Sequence, residues 1–196
     1  MLGIETFYVK ENQYPGDICD FDKYIITGSL ASAYTNSGWI LGLKQFCREA
    51  AVCGAKLIGI CFGHQLLAEA FGGKVEPAKA GWGVGKRVSK LTGDNYLAKY
   101  FPKGEFVLEY SHHDQVVSPP PDSKILSSSS FCPIESLSIG NFGLTFQGHP
   151  EFDDIYAGML FKFFYSQYSP KERSLRENNA LLLPDNAGVA RAILDF

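Results

Sequence analysis

The stretch Lys56-Leu-Ile-Gly-Ile-Cys-Phe-Gly-His-Gln-Leu-Leu-Ala-Glu-Ala-Phe-Gly-Gly73 leaves a chain few folds to choose from. Leu57, Ile58 and Ile60 make a short apolar run suited to a strand covered on both faces. Leu66, Leu67, Ala70 and Phe71 then recur at helical spacing, and Gly72-Gly73 supply a stop. Cys61 lies on the turn between strand and helix, with Gly59 two residues before it and Gly63 two residues after. Side-chain-free neighbours at these positions let the chain reverse tightly and hold the middle residue proud of the sheet, the arrangement of a nucleophile elbow. A thiolate at a helix start is favoured by free backbone N–H groups and by the positive end of the helix dipole. The competing reading is an inert thiol beside two packing glycines, because free Cys is among the most buried residue types.

The totals limit what surrounds this unit. A chain of 196 residues is expected to form one domain with a full core. Hydrophobic residues make up 45% and no low-complexity tract interrupts them, which argues against disorder. The net charge of -3, without a basic cluster, gives no reason to expect nucleic-acid binding. The cysteines stand at 19, 47, 53, 61 and 132. Their number is odd and no C-x-x-C pair occurs, so a reduced intracellular setting fits better than a disulfide framework. No signal-like N-terminus or membrane-length apolar run is present, and the expectation is a soluble cytoplasmic protein without membrane partners.

In chain order, Ile4 to Val9 reads as a strand, followed by a polar loop with a turn at Tyr14-Pro15-Gly16-Asp17. Tyr24 to Thr27 reads as a second strand ending in Gly28-Ser29. Trp39, Ile40, Leu43, Phe46, Cys47 and Ala50 share one helical face. After Gly73 come shorter segments: strands at Val84–Leu91, Phe106–Tyr110 and from Lys124, then a hairpin across Gly140-Asn141. Tyr156 to Tyr168 reads as a buried apolar helix, Lys171 to Asn179 as a solvated loop or exposed turn, and Ala187 to Phe196 as a last helix. Early strand–helix alternation followed by strands predicts an α/β fold, its sheet mostly parallel with an antiparallel excursion.

A Cys nucleophile needs a base, and the base needs an orienting group. Of His64, His112, His113 and His149, His149 lies just beyond a predicted strand end, in Phe146-Gln-Gly-His-Pro-Glu-Phe152, where it could meet Cys61 at the carboxyl ends of the strands. Glu151 stands two residues on, across Pro150, and in an extended chain both side chains project to the same side. A carboxylate there can hold one imidazole nitrogen and fix the tautomer. Gly28-Ser29 can turn backbone N–H groups into a cleft, and Phe62 N–H would be a second donor for an oxyanion. No set of His, Cys and Asp residues has metal-ligand spacing.

Taken in order, the strand with Gly28-Ser29, then Gly59-Ile-Cys-Phe-Gly-His-Gln65, then Phe146-Gln-Gly-His-Pro-Glu151 resembles the class I (triad-type) glutamine amidotransferase domain. The resemblance spans about residues 3 to 165, leaving a C-terminal helical tail at 166–196. It places Cys61, His149 and Glu151 on the family's catalytic positions, and Ser29 and Phe62 at its oxyanion hole. Tyr110-Ser-His-His-Asp-Gln-Val116 is similar to the S-H-x-D-x-V segment near the glutamine site. With Gln65 and Gly28, this makes Ser111 and His112 the implied substrate contacts. The implied fold is a doubly wound, flavodoxin-like sheet with helices on both faces.

The implied reaction is hydrolysis of the glutamine side-chain amide through a Cys thioester, with no metal or organic cofactor. The chain looks closest to free-standing members, including γ-glutamyl peptidase-like proteins. About thirty residues follow the matching pattern, so ammonia would pass to a separate synthetase subunit, or hydrolysis is itself the task. Two rival readings are hydrolysis of γ-glutamyl peptides or conjugates, and a non-catalytic regulatory relative. The family's usual first strand and helix are not found before Met1-Leu-Gly, which leads to the expectation of a longer natural protein.

Overall fold

The structure, a computed structural model, describes residues 3–196. Its main sheet has seven strands in the order β1 (Lys23–Ile26), β2 (Lys56–Ile60), β9 (Gly143–Phe146), β8 (Ser136–Ile139), β7 (Ser123–Ser128), β4 (Gly83–Leu91), β5 (Glu105–His112). The first three run parallel, with Ile26 opposite Gly59 and Ile60 opposite Phe146. From β9 onward every pairing is antiparallel, so the antiparallel part exceeds the excursion expected from the sequence. β8 and β9 form the anticipated hairpin across Gly140. A small second sheet pairs β3 (Lys74–Pro77) with β6 (Asp114–Ser118).

Helices cover both faces, as expected. On one, α1 (Gly38–Val52) and α2 (Phe62–Ala70) seal Leu57, Leu66, Leu67, Ile40 and Leu137 into a core. On the other, α5 (Asn186–Asp195) lays Val189 and Ala192 over Ile58, Leu108, Leu144 and Phe146. β2 lies between these two cores, which is why its sequence is nearly continuous in apolar residues. Burying a side chain such as Leu57, Leu66 or Leu67 contributes about 2 kcal/mol each.

Four expectations need correction. Ile4 to Val9 forms no strand: the segment is irregular until a 3-10 turn at Val9–Glu11, with Ile4 and Tyr8 exposed. Its β-favouring side chains have no adjacent strand to pair with, and propensity alone does not make a ladder. The apolar segment from Tyr156 is α3 (Asp154–Phe163), but it is not buried. Ala157, Leu160 and Phe161 face the sheet side, while Ile155, Tyr156, Met159 and Phe163 are exposed. Lys171 to Asn179 is not a loop but α4 (Pro170–Asn178), opened by a capping box between Ser169 and Glu172 with Pro170 in the first turn. Finally, Cys19 and Cys53 form a disulfide, their Cα atoms 5.5 Å apart. The loop after Val9–Glu11 folds back over the end of α1, and a separation of 34 residues carries no local signal of that contact.

Candidate active site

The carboxyl ends of the three parallel strands converge, where open α/β sheets place their clefts. β2 delivers Cys61, the loop after β1 delivers Gly28-Ser29, and the chain leaving β9 delivers Gln147 to Glu151. Cys61 sits at φ 52°, ψ -102°, a conformation L-residues rarely adopt, which costs about 1–3 kcal/mol. Two close approaches hold it there. A Cβ on Gly59 would stand 2.6 Å from the Gly63 carbonyl group, and one on Gly63 would stand 2.0 Å from the Ile26 carbonyl oxygen. Strand, turn and α2 therefore fit together only with hydrogen at both positions, and the sharp reversal anticipated from G-x-C-x-G is the one formed.

His149 meets the elbow through its backbone and its ring. Its N–H donates to the Glu109 carbonyl on β5 at 2.8 Å. Its Nδ1 lies 2.7 Å from Glu151 Oε1, the i, i+2 contact the sequence implied. Phe152 stacks on the imidazole at 3.9 Å and 10°, and a Cβ on Gly28 would come within 3.2 Å of Cε1 on the ring. The imidazole is thereby held between an aromatic face and a glycine. Its Nε2 is buried without an aligned hydrogen bond, yet the sulfur of Cys61 is near enough to act on it. Burial works against charging this ring, but Cys61, and then Glu151, outweigh it and raise the imidazole to about 10. Loose alignment between base and nucleophile is common before a substrate draws them together.

The remaining site candidates are placed as follows. Phe62 opens α2, so its N–H has no carbonyl one turn back within the helix to donate to. Ser29 lies beside Gly28, its hydroxyl accepting from Ala31 N–H at 3.2 Å. The Ser111 carbonyl lies 3.9 Å from Cys61 Sγ. The His112 ring is buried, bonded to the Asp114 carbonyl at 3.0 Å and packed against Phe131, and burial lowers its pKa to about 3. Gln65 is buried too, its nitrogen 2.7 Å from the Asp114 carbonyl. His64 turns inward to Thr145 Oγ1 at 2.7 Å, and burial lowers it to about 3.

The free thiols differ sharply in setting. Burial pushes Cys47 and Cys132 up to about 12, so neither offers a reactive thiolate near neutrality. Two residues against the reacting groups were not singled out from the sequence. Phe152 stacks on His149, and Gln147 brings its side-chain nitrogen to 3.6 Å from Cys61 Sγ. Both lie within or beside the F-Q-G-H-P-E-F segment, so the motif marked the neighbourhood without separating their contacts.

Known proteins share this architecture. The chain is 34% identical over 154 residues to "Gamma-glutamyl peptidase 2" of Arabidopsis thaliana, covering 76% of this chain and 62% of the relative. It is 30% identical over 198 residues to a putative glutamine amidotransferase-like protein of Schizosaccharomyces pombe, covering 96% and 78%. It thus spans less than two thirds of the length of the Arabidopsis relative. A glutamine amidotransferase structure from Thermotoga maritima superposes with a TM-score of 0.80 at 18% identity, over 96% of this chain and 84% of that one. Residues 4–166 match the family described as "Glutamine amidotransferase class-I". With the elbow, the strand order and this match in agreement, the chain belongs to the class I glutamine amidotransferase family.

Proposed function

We propose that the chain hydrolyses γ-glutamyl amides through a thioester on Cys61. The observation that carries the reading is the His149 imidazole, held by Glu151 at 2.7 Å beside the Cys61 elbow. Cys61 thiolate attacks the δ-carbonyl carbon of the γ-glutamyl group, and the N–H groups of Ser29 and Phe62 receive the oxyanion. His149 gives its proton to the departing nitrogen as the carbon–nitrogen bond breaks. Neutral His149 then takes a proton from water, whose oxygen attacks the thioester carbon. Collapse of that adduct releases glutamate and returns the sulfur as thiolate beside a protonated imidazole. Glu151 holds Nδ1 throughout and favours the charged ring.

The leaving group is ammonia if the substrate is glutamine, and an amino acid or peptide amine if it is a γ-glutamyl peptide. The second is favoured by the relatives named γ-glutamyl peptidases. With glutamine, a separate synthetase subunit would receive the ammonia. The deciding experiment is hydrolysis of glutamine and of γ-glutamyl dipeptides side by side, with Cys61→Ala as the control. Cys61→Ala is expected to lose turnover of both by about 10³-fold or more while melting like the parent. Retained turnover would overturn the reading.

A further inference from the structure

Gln147 is fully buried, and its side-chain nitrogen lies 3.6 Å from Cys61 Sγ. Which end of a carboxamide faces a sulfur is an assignment, and here the surroundings make it. The Asp114 carbonyl can only accept, so the Gln65 nitrogen faces it at 2.7 Å. That same nitrogen lies 3.1 Å from Gln147 Oε1. With its oxygen receiving this donor, Gln147 is left with its NH2 directed at the sulfur. The main chain is fixed as well, because Gln147 N–H donates to the Glu135 carbonyl at 2.7 Å. The result is one directed chain: Gln65 donates to Asp114 and to Gln147, and Gln147 donates to Cys61.

A thiolate accepts an N–H far better than a thiol does, so a donor fixed against sulfur favours the ionised form. We propose that Gln147 is a further catalytic residue, donating to the Cys61 thiolate, and that Gln65 is a positioning residue that sets the polarity of Gln147. The proton lost from sulfur resides on His149, and no other group changes its protonation. This assigns Gln65 a task within the protein, whereas the sequence implied contact with substrate. It rests on Cys61 being the nucleophile.

The test is alkylation of Cys61 by iodoacetamide across about pH 5 to 9, followed by peptide mass spectrometry, in the parent, Gln147→Leu, Gln147→Glu and Gln65→Leu. Gln147→Leu removes the donor and is expected to slow alkylation at pH 7 about tenfold and to move the pH profile upward. Gln147→Glu keeps the size and the bond from Gln65 but sets a carboxylate against the sulfur. Its profile is expected to move at least as far. Gln65→Leu moves it in the same direction by less. If Gln147 only fills space, Gln147→Leu overlays the parent, and that result overturns the proposal. Should Gln147→Leu fail to fold, Gln65→Leu decides alone, since it leaves Gln147 in place and removes only the donor that sets its polarity; a profile that overlays the parent overturns the proposal. Alkylation uses no substrate, so shifted profiles in a protein that hydrolyses no γ-glutamyl amide would break the proposed function and leave this inference standing.

Discussion

α2 and the pair α3 and α4 cover sheet surface by different means. α2 sits against β1 and β2 so closely that added Cβ atoms at Gly59 and Gly63 would strike backbone. α3 and α4 instead rest on β4 through larger side chains, with Trp82, Val84, Phe164 and Tyr168 clustered beneath them. The outer surface of α3 is left apolar, and the charged α4 is secured by its capping box and by Arg176 reaching toward Glu109 at 3.7 Å. Where the nucleophile must be aimed, backbone meets backbone and tolerance is small. Where a helix merely covers the sheet, side chains and caps hold it, and each contributes modestly.

Among substitutions that act on stability, adding one methyl group at the close contact should have the largest effect. Gly63→Ala forces α2 away from Ile26, with an expected loss of about 3 kcal/mol or more in urea unfolding and a displaced elbow. If Gly63→Ala costs no more than a surface substitution, the contrast between the two sides fails.

A separate effect, driven by protonation, is expected in acid. His64 and His112 are both lowered to about 3 by burial, so the folded chain refuses protons that the unfolded chain accepts below about 6.5. Stability should therefore fall as pH drops from about 6.5 toward 3, by up to ~1.4 kcal/mol per pH unit for each ring. His149 runs the other way: its contribution is present below about 6.5 and is lost as pH rises through about 10. In His64→Gln the acid slope of unfolding free energy should shrink by about one proton, and an unchanged slope would refute the assignment to His64.

The smallest effect belongs to the C-terminal side. Ser169→Ala removes the cap of α4 and should cost about 1 kcal/mol, seen as a Tm lower by several degrees. A loss as large as that of Gly63→Ala would mean that α4 is not the modestly held cover described above.

The same contrast explains what could be read in advance. The elbow was legible because its constraints are local: apolar run, glycine spacing and helical period all lie within Lys56 to Gly73. Glu151 was legible as the partner of His149 because an extended i, i+2 pair shares a side whatever the surroundings. The Cys19–Cys53 bond was not, since it depends on how a loop closes over α1. The helix from Tyr156 was misjudged because a segment apolar all round does not say which stripe is covered. α4 was misjudged for a different reason: Ser169-Pro170-Lys171-Glu172 carried a capping signature that its high charge obscured. Gln147 was visible within F-Q-G-H-P-E, but its contact with sulfur depends on the β2–β9 pairing and on Gln65 arriving from α2.

The central claim is that three separate segments assemble one γ-glutamyl site on Cys61. It is tested most directly by a glutamine analogue carrying an electrophilic diazoketone, with the modified thiol located by peptide mass spectrometry. The account predicts stoichiometric labelling of Cys61, none at Cys47 or Cys132, protection by a γ-glutamyl substrate, and loss of hydrolysis in step with labelling. Labelling at Cys47 or Cys132, or hydrolysis that survives complete modification of Cys61, would contradict it.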